Sequence, residues 1–266
     1  MLIATSRSVH TLSKGDPAPV KILDNDATAL AKGNIYSVIA LKNGDLSIHT
    51  KTDAQTIATG IEQDIECLLI IDEEPLRLLI GTGESHIYRY EDGKTEIVES
   101  FDQMPIREKW YTPWGGPPDV RSFAKTTNGW VYADIHVGSI MCSPDQGITW
   151  EPVTPDLHED VHQVITSPQQ NERVYANTAR AVYISDDRGK SWSHRSDGFP
   201  HSYGRAIAVH PDDPDCLLAT VSKGPHGDAE GQLYRSDDAG QTWEHVTNGF
   251  PESVSHNIDT FHIACN

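Results

Sequence analysis

Five ionisable side chains occupy one repeated position in segments that alternate polar and apolar residues. Each stands two residues before an apolar residue, and side chains two residues apart share a face of a strand. Burying a charge on such a face is costly unless the charge is paired or meets a ligand. The five are Glu66, Arg121, His162, Arg205 and Asp259, which precede Leu68, Phe123, Val164, Ile207 and Phe261. We therefore predict that they converge on one polar site.

The residue types predict two kinds of chemistry at this site. Arg121 and Arg205 suit a carboxylate or phosphate, because each guanidinium presents a planar fork of donors. Glu66, His162 and Asp259 can accept or donate protons, and we predict them as the catalytic residues. The expected ligand is a small anionic or sugar-like molecule, and the expected reaction is that of a hydrolase or lyase.

Four further residues are predicted to contact the ligand. Asp119 and Tyr203 each stand two residues before one of the arginines, and His136 ends a neighbouring strand. Trp114 lies in the long connection 101–119, where an exposed aromatic ring could stack on a sugar. The alternative for this connection is a loop that packs on its own tryptophans.

Two other interpretations of the polar site remain open. In the first, Glu66 and Asp259 neutralise the two arginines and no ligand binds. In the second, a divalent metal is held by histidines among His136, His162, His201 and His256, with Glu66 or Asp259 as the oxygen ligand. The metal and any other cofactor are therefore left unassigned.

A repeated turn sequence indicates which elements position these segments. The pattern Ser-x-Asp-x-Gly-x-Thr/Ser-Trp occurs at 143–150, 185–192 and 236–243, with its glycines 42 and 51 residues apart. The Asp carboxylate can accept backbone N–H bonds, the Gly permits a positive φ, and the Trp starts a strand. A repeat of this length is typical of a four-stranded propeller blade.

On this turn sequence the chain resembles the Asp-box (BNR) repeat β-propellers, a group that includes sialidases and other glycosyl hydrolase-like proteins. The resemblance implies an all-β propeller. The Arg-Ile-Pro motif typical of sialidases is absent from the sequence, so the resemblance implies the fold and leaves enzymatic activity open. A metal-dependent lactonase-like hydrolase is one alternative function. A non-catalytic protein-binding or assembly propeller, similar to photosystem II assembly factors, is another.

The whole chain divides into six segments of blade length, about 44 residues each. We therefore predict a six-bladed β-propeller formed by a single domain over 1–266, with a seven-bladed ring as the alternative. The sixth blade is expected to be mixed: a strand near 259–265 would pair with 2–6 and remove two free edges. The Asp boxes would lie on the turns between the third and fourth strands, away from the polar site.

Composition limits the partners and the compartment. The formal net charge of −18 argues against binding to nucleic acid or to an anionic membrane surface, whereas a protein partner stays open. The first residues lack a basic start followed by a long apolar run, so no signal peptide is expected. Four widely spaced cysteines are expected to be free thiols, which favours a cytoplasmic location.

Overall fold

The computed structural model describes residues 1–5, 7–13, 15, 17–153 and 155–265. These residues form an all-β fold of 23 strands in six antiparallel sheets, as the sequence predicts. The only other regular elements within these ranges are the helix α1 (Glu99–Asp102) and two 3₁₀ turns at Gly83–Ser85 and Pro105–Lys109. No helix in the described part of the chain is long and apolar enough to cross a membrane.

The first compact unit comprises Met1–Arg107 with Gly116–Val120. Its strands follow one another along the chain and pair in sequence order within three sheets. The first sheet is β1 (Leu2–Ala4), β2 (Val9–Thr11) and β3 (Val20–Leu23). The second is β4 (Ala27–Lys32), β5 (Ser37–Leu41), β6 (Leu46–His49) and β7 (Ala54–Ile57). The third is β8 (Ile65–Glu73), β9 (Leu76–Thr82), β10 (Ile87–Glu91) and β11 (Lys94–Ile97).

The second compact unit comprises Glu108–Gly115 and the chain from Arg121 onward. It also carries three sheets of sequentially paired strands. The fourth sheet is β12 (Val120–Lys125), β13 (Val131–Ile135), β14 (Ser139–Ser143) and β15 (Glu151–Pro152). The fifth is β16 (Val161–Ser167), β17 (Gln170–Thr178), β18 (Ala181–Ser185) and β19 (Ser193–Arg195). The sixth is β20 (Tyr203–His210), β21 (Asp213–Ser222), β22 (Gln232–Ser236) and β23 (Glu244–His245).

The six sheets confirm the predicted number of blades, but the N-terminal sheet differs in one detail. It has three strands, and the described residues 257–265 form no strand. The predicted partner Ser6 lies outside the described residues. Within the second unit, Asp259 accepts instead from Arg121, and Thr260 Oγ1 donates to the carbonyl of His162. Phe261, predicted to be an inward apolar residue, is 54% exposed.

Apolar side chains from the alternating strands form a separate core in each unit. In the first unit the buried cluster is centred on Val38, Leu46, Leu78 and Ile80. In the second unit, one cluster joins the fourth and fifth sheets and another joins the fifth and sixth. These clusters include Tyr132, Val161, Val164, Val174 and Trp192, and Val182, Ile207, Leu217 and Trp243, respectively. Buried residues of β16 and β20, such as Val164 and Ile207, therefore anchor each of these first strands against the preceding sheet.

Each Asp box is a closed hydrogen-bonded turn between the third and fourth strands of its sheet, as predicted. In the middle box, Ser185 Oγ donates to Asp187 Oδ1 at 2.8 Å. The same carboxylate accepts from the backbone N–H of Ser191 at 2.8 Å and from its hydroxyl at 2.6 Å. Gly189 has a φ of 89°, which explains the glycine, and its carbonyl accepts from Trp192 Nε1. The boxes thus fix strand connections.

We expect Asp187→Ala to lower the free energy of unfolding by roughly 1–2 kcal/mol, because the change removes the acceptor of three turn hydrogen bonds. Urea unfolding followed by tryptophan fluorescence measures this difference. Asp186→Ala is the matched control, since Asp186 only pairs with Arg173, which keeps a second partner in Asp215. Equal losses in the two variants would contradict the structural role of the box.

Candidate functional site

Three neighbouring strands of the second unit position the candidate site. Arg121, His162 and Arg205 each lie second or third in the first strand of a sheet, in β12, β16 and β20. The residues that follow them on the same face are apolar and buried, which anchors each strand and leaves its first residues at the end of the core. The predicted alternation is therefore what brings these side chains together.

The two arginines share one carboxylate. Arg121 Nη2 donates to Asp259 Oδ1 at 3.0 Å, and Arg205 Nη1 donates to the same oxygen at 3.3 Å. The backbone N–H of Thr260 is a third donor to this oxygen, at 2.8 Å. Burial raises the pKa of Asp259, but the charges of Arg205 and Arg121 outweigh it and hold this pKa below its usual value. Asp259 is therefore a bound carboxylate.

The segment 257–262, which carries Asp259, is also held through its backbone and its neighbouring side chain. Thr260 Oγ1 donates to the carbonyl of His162 at 2.8 Å and accepts from Arg121 Nε at 3.2 Å. The carbonyl of Ile258 accepts from Thr220 Oγ1 at 2.9 Å. Groups on β12, β16 and β21 therefore hold this segment in place.

Arg205 is oriented by the residues before it. Its Nη2 donates to the hydroxyl of Tyr203 at 2.9 Å, and its guanidinium carbon lies 5.1 Å from the centre of the Tyr203 ring. Between them, Gly204 lets the buried amide of Asn177 approach the backbone closely. Asn177 Nδ2 donates to the carbonyls of Ala206 and Thr220, at 2.8 and 3.1 Å. These contacts fix the register that aims Arg205 at the site.

Next to the arginines lies a cluster of two histidines and one carboxylate. His162 Nε2 is 3.2 Å and His136 Nε2 is 3.6 Å from Asp160 Oδ1. The separation of His162 and Asp160 suits a hydrogen bond, but its geometry does not, and both atoms lack a hydrogen-bond partner among the described residues. His162 Nδ1 lies 2.5 Å from the carbonyl of Gly204.

The electrostatics of the cluster keep both imidazoles neutral at pH 7. Burial, together with the charge of Arg121, lowers the pKa of His136 to about 3. Burial also lowers the pKa of His162, although Asp160 opposes this. Arg121 Nη1 lies 3.3 Å from Nε2 and 3.5 Å from Nδ1 of His136, so the guanidinium faces the ring. Neutral imidazoles can accept protons, bind a cation or receive a ligand donor.

Behind the arginine on β12, Asp134 is completely buried on β13. Its Oδ2 accepts from Ser122 Oγ at 3.1 Å, while its Oδ1 has no partner within the described ranges. Burial raises the pKa of this carboxyl well above its usual value, although Arg121 and Ser122 oppose the shift. Ser122 Oγ in turn accepts from the backbone N–H of Val164, which ties β12 to β16.

The aromatic connection contributes one ring to the site. Trp114 is 66% exposed, and its ring centre lies 5.0 Å from that of His136. Tyr111 is equally exposed. Trp114 and His136, both predicted to contact the ligand, thus lie side by side, and their role in binding a ligand stays a prediction.

The remaining two predicted residues belong to the first unit. Glu66 is an exposed residue of β8 and lines a groove of about 470 Å³ together with Asp26, Lys42 and Asp64. Asp119 is half-buried and approaches Gly83. The structure brings Arg121, His136, His162, Tyr203, Arg205 and Asp259 together in the second unit. The catalytic and binding roles assigned to all of these residues stay predictions.

Sequence reasoning left two important residues out of the predicted site. Asp160 stands two residues before His162 and therefore shares its strand face, a signal that an Asp-x-His pattern at a strand start provides. Thr260 gave no such signal, because its hydroxyl acts through contacts with Arg121 and the carbonyl of His162, which lie far away in the sequence. Asp160 adds a carboxylate oxygen to the two histidine nitrogens, and these three donor atoms lie close enough together to hold a metal ion.

Comparisons with known proteins agree with this architecture. The family described as Sortilin-Vps10 (sortilin, neurotensin receptor 3) matches residues 138–257. A vacuolar protein sorting/targeting protein 10 from Colletotrichum graminicola is 30% identical over 107 residues, which is 38% of this chain. The chain spans only 7% of the length of that curated relative.

Solved structures show the same fold at low sequence identity. YCF48 from Cyanidioschyzon merolae is similar with a TM-score of 0.65 and 13% identity, over 93% of this chain and 81% of that one. YCF48 bound to D1 peptide has a TM-score of 0.64 and 13% identity, over 92% and 77% of the two chains. An ancestral GH74 enzyme has a TM-score of 0.63 and 16% identity, over 84% of this chain but 31% of its own.

The similar structures, the repeated turn sequence and the arrangement of the sheets all indicate the same class of fold. Three Asp-box turns occupy equivalent places in three successive sheets. Six antiparallel sheets follow one another along the chain, and the similar structures are propellers. The chain therefore has the fold of a β-propeller with Asp-box turns, and residues 138–257 are similar to the Sortilin-Vps10 family.

Proposed function

We propose that this propeller binds an acidic segment of a protein partner, whose carboxylate is received by Arg121 and Arg205. One observation carries the proposal: the carboxylate of Asp259 already lies between these two arginines, at 3.0 and 3.3 Å. Two guanidinium groups that meet on one oxygen form a strong, charge-assisted site for a carboxylate. Under this proposal, Asp259 occupies the position that the acidic residue of the partner would take.

The way in which Asp259 arrives favours a peptide over a free small anion. Its neighbours on both sides are bound through backbone groups: the carbonyl of Ile258 accepts from Thr220, and the N–H of Phe261 donates to Gln163 Oε1 at 3.4 Å. A surface that binds main-chain groups around a carboxylate suits an extended peptide. The similar YCF48 structure is bound to the D1 peptide, which supports this class of ligand.

The test uses a released variant, Asp259→Ala with Thr260→Ala, in which the built-in segment loses its two side-chain anchors. The probe is a fluorescent peptide with the sequence of residues 255–263, followed by anisotropy. We expect the released variant to bind at least about tenfold more tightly than the natural chain, because the competing carboxylate is gone. A peptide with asparagine in place of the aspartate should not bind.

Equal binding of the aspartate and asparagine peptides would contradict the proposal. A thermal melt of the released variant confirms that it is folded before the titration. Free acetate and N-acetylaspartate are included as competitors, because strong competition by these small carboxylates would favour a small-molecule site over a peptide site.

A hydrolase or lyase acting on a small anionic or sugar-like ligand is the second candidate function. It is supported by the neutral imidazole of His162, whose Nε2 makes no well-formed hydrogen bond in the described part of the chain, and by the tilted contact of the Trp114 and His136 rings. In that function His162 and Asp259 would move protons, and the arginines would hold the anionic group. Turnover of sugar-acid esters or lactones, lost in His162→Gln, tests this candidate.

We also propose a reducing compartment, the cytoplasm, as the site of action. Cys142 and Cys216 form no disulfide with the described residues, and burial raises the pKa of the Cys142 thiol to about 12. Free thiols of this kind are compatible with a reducing environment.

A further inference from the structure

We infer that His136, Asp160 and His162 form a binding site for one divalent transition-metal ion, with Zn²⁺ as the best-suited ion. Their donor atoms all lie within 4.8 Å of one another. Two histidines and one carboxylate are a recurrent ligand set for zinc and for non-haem iron, and they leave further coordination positions open. The inference is independent of the peptide-binding proposal.

The spacing of the donor atoms matches that of ligands around a single zinc ion. Zinc bonds to histidine nitrogen and carboxylate oxygen are about 2.1 Å long, so two ligands of a tetrahedral site lie about 3.4 Å apart. The separations from Asp160 Oδ1 to His162 Nε2 and to His136 Nε2 are 3.2 and 3.6 Å. Both values therefore fit one shared cation with only small movements of the side chains.

The hydrogen-bond pattern of His162 leaves its Nε2 lone pair available for a metal ion. Its Nδ1 lies 2.5 Å from the carbonyl of Gly204, and a carbonyl can only accept, so Nδ1 carries the proton. Nε2 of the neutral ring then presents a lone pair to Asp160 Oδ1, which presents another. Metal-binding histidines are commonly oriented in the same way, because the ring N–H that does not face the metal donates to a carbonyl or carboxylate.

His162 Nε2 and Asp160 Oδ1 face each other at 3.2 Å, but neither atom makes a well-formed hydrogen bond with the described residues. His162 is completely buried, and its Nε2 and the facing Asp160 Oδ1 are both unsatisfied with respect to the described residues. Buried polar atoms that lack a hydrogen bond are costly, and a native structure normally explains each one. A cation between the two lone pairs satisfies both atoms at once.

The nearby arginines set the balance of charge around this site. Arg121 Nη1 lies against the His136 ring and competes with a cation for Nε2. Arg205 adds a second positive charge, and Asp259 offsets part of both. We therefore expect removal of Arg121 to strengthen zinc binding, an effect opposite to that of removing a ligand.

The test is equilibrium dialysis of the full chain against Zn²⁺ after chelator treatment, with metal measured by mass spectrometry. We expect one zinc ion per chain. Asp160→Asn and His136→Gln should each weaken binding by about 100-fold or more, since even outer partners of metal ligands change affinity by about 10–100-fold. Arg121→Ala should strengthen it by about tenfold, because a charge in a half-buried site interacts strongly. Cobalt substitution should give the visible absorption of a four-coordinate ion.

His226→Gln is the matched control, because His226 is an exposed histidine of the β21–β22 connection and takes no part in the cluster. Unchanged zinc binding in this variant supports the site. Zinc binding that survives Asp160→Asn, or the absence of stoichiometric binding to the natural chain, overturns the inference. Nitrogen-15 NMR spectra that show His162 protonated on both nitrogens in metal-free and zinc-treated protein would also overturn it, because the pair would then be a simple ion pair.

Discussion

Gly204→Ala is expected to lower the free energy of unfolding by about 3 kcal/mol or more, because it combines overpacking with the loss of buried hydrogen bonds. A Cβ atom at this position would lie 2.5 Å from Asn177 Cγ and closer still to its Oδ1. Asn177 is completely buried and cannot move without breaking its bonds to the carbonyls of Ala206 and Thr220. Urea unfolding measures the loss.

The double variant Gly204→Ala with Asn177→Ala separates the clash from other effects. Truncating Asn177 makes room for the new methyl group, so the double variant should lose at least about 1 kcal/mol less than the sum of the single variants. Gly227→Ala is the control, because no atom lies within 4 Å of a Cβ there, and we expect a change within about 0.5 kcal/mol. Additive losses would contradict the proposed packing.

Replacing either arginine should remove most of the affinity for an acidic peptide. In the released variant, Arg121→Ala or Arg205→Ala should weaken binding of the 255–263 peptide by ~2 kcal/mol, which is about 30-fold. Their combination should abolish measurable binding. Lysine substitutions should recover only part of the affinity, because an ammonium group cannot reproduce the planar fork of a guanidinium. Fluorescence anisotropy measures all of these differences.

The control for this series is Arg235→Ala in the same background. Arg235 lies on β22 and pairs with Asp237, and its side chain is 55% exposed. Its removal changes the net charge by the same amount but leaves the candidate site intact, so affinity should stay within about twofold. A similar loss in this control would show that the peptide binds through overall charge.

Melting curves of the arginine variants in the otherwise natural chain test the ion-pair interpretation, which requires a large loss of stability and no response to ligand.

The sequence contained enough information for the fold and for most of the arginine site. The Asp boxes identified the turns that end β14, β18 and β22, and the alternation of polar and apolar residues identified the first strands of the sheets. Because Arg121, His162 and Arg205 follow that alternation, their convergence was predictable from strand geometry alone. The pairing of Asp259 with both arginines was one of the interpretations left open.

Other features depend on contacts that strand periodicity does not encode. Residues 257–265 alternate like a strand, but they form none, and Asp259 lies between two guanidinium groups that are distant in the sequence. Asn177 of the fifth sheet approaches Gly204 of the sixth sheet closely, and this contact is possible only because Gly204 has no side chain. The unsatisfied pair of His162 and Asp160 depends on which nitrogen faces Gly204, and no sequence pattern specifies that.

A crystal structure of the released variant, Asp259→Ala with Thr260→Ala, grown with the 255–263 peptide tests most directly whether Arg121 and Arg205 together receive a carboxylate from a peptide. We expect electron density for the aspartate carboxylate within hydrogen-bond distance of both guanidinium groups, with the adjoining main chain beside Thr220 and Gln163. A peptide bound elsewhere, or arginines that pair with other residues while the peptide stays outside, would contradict it.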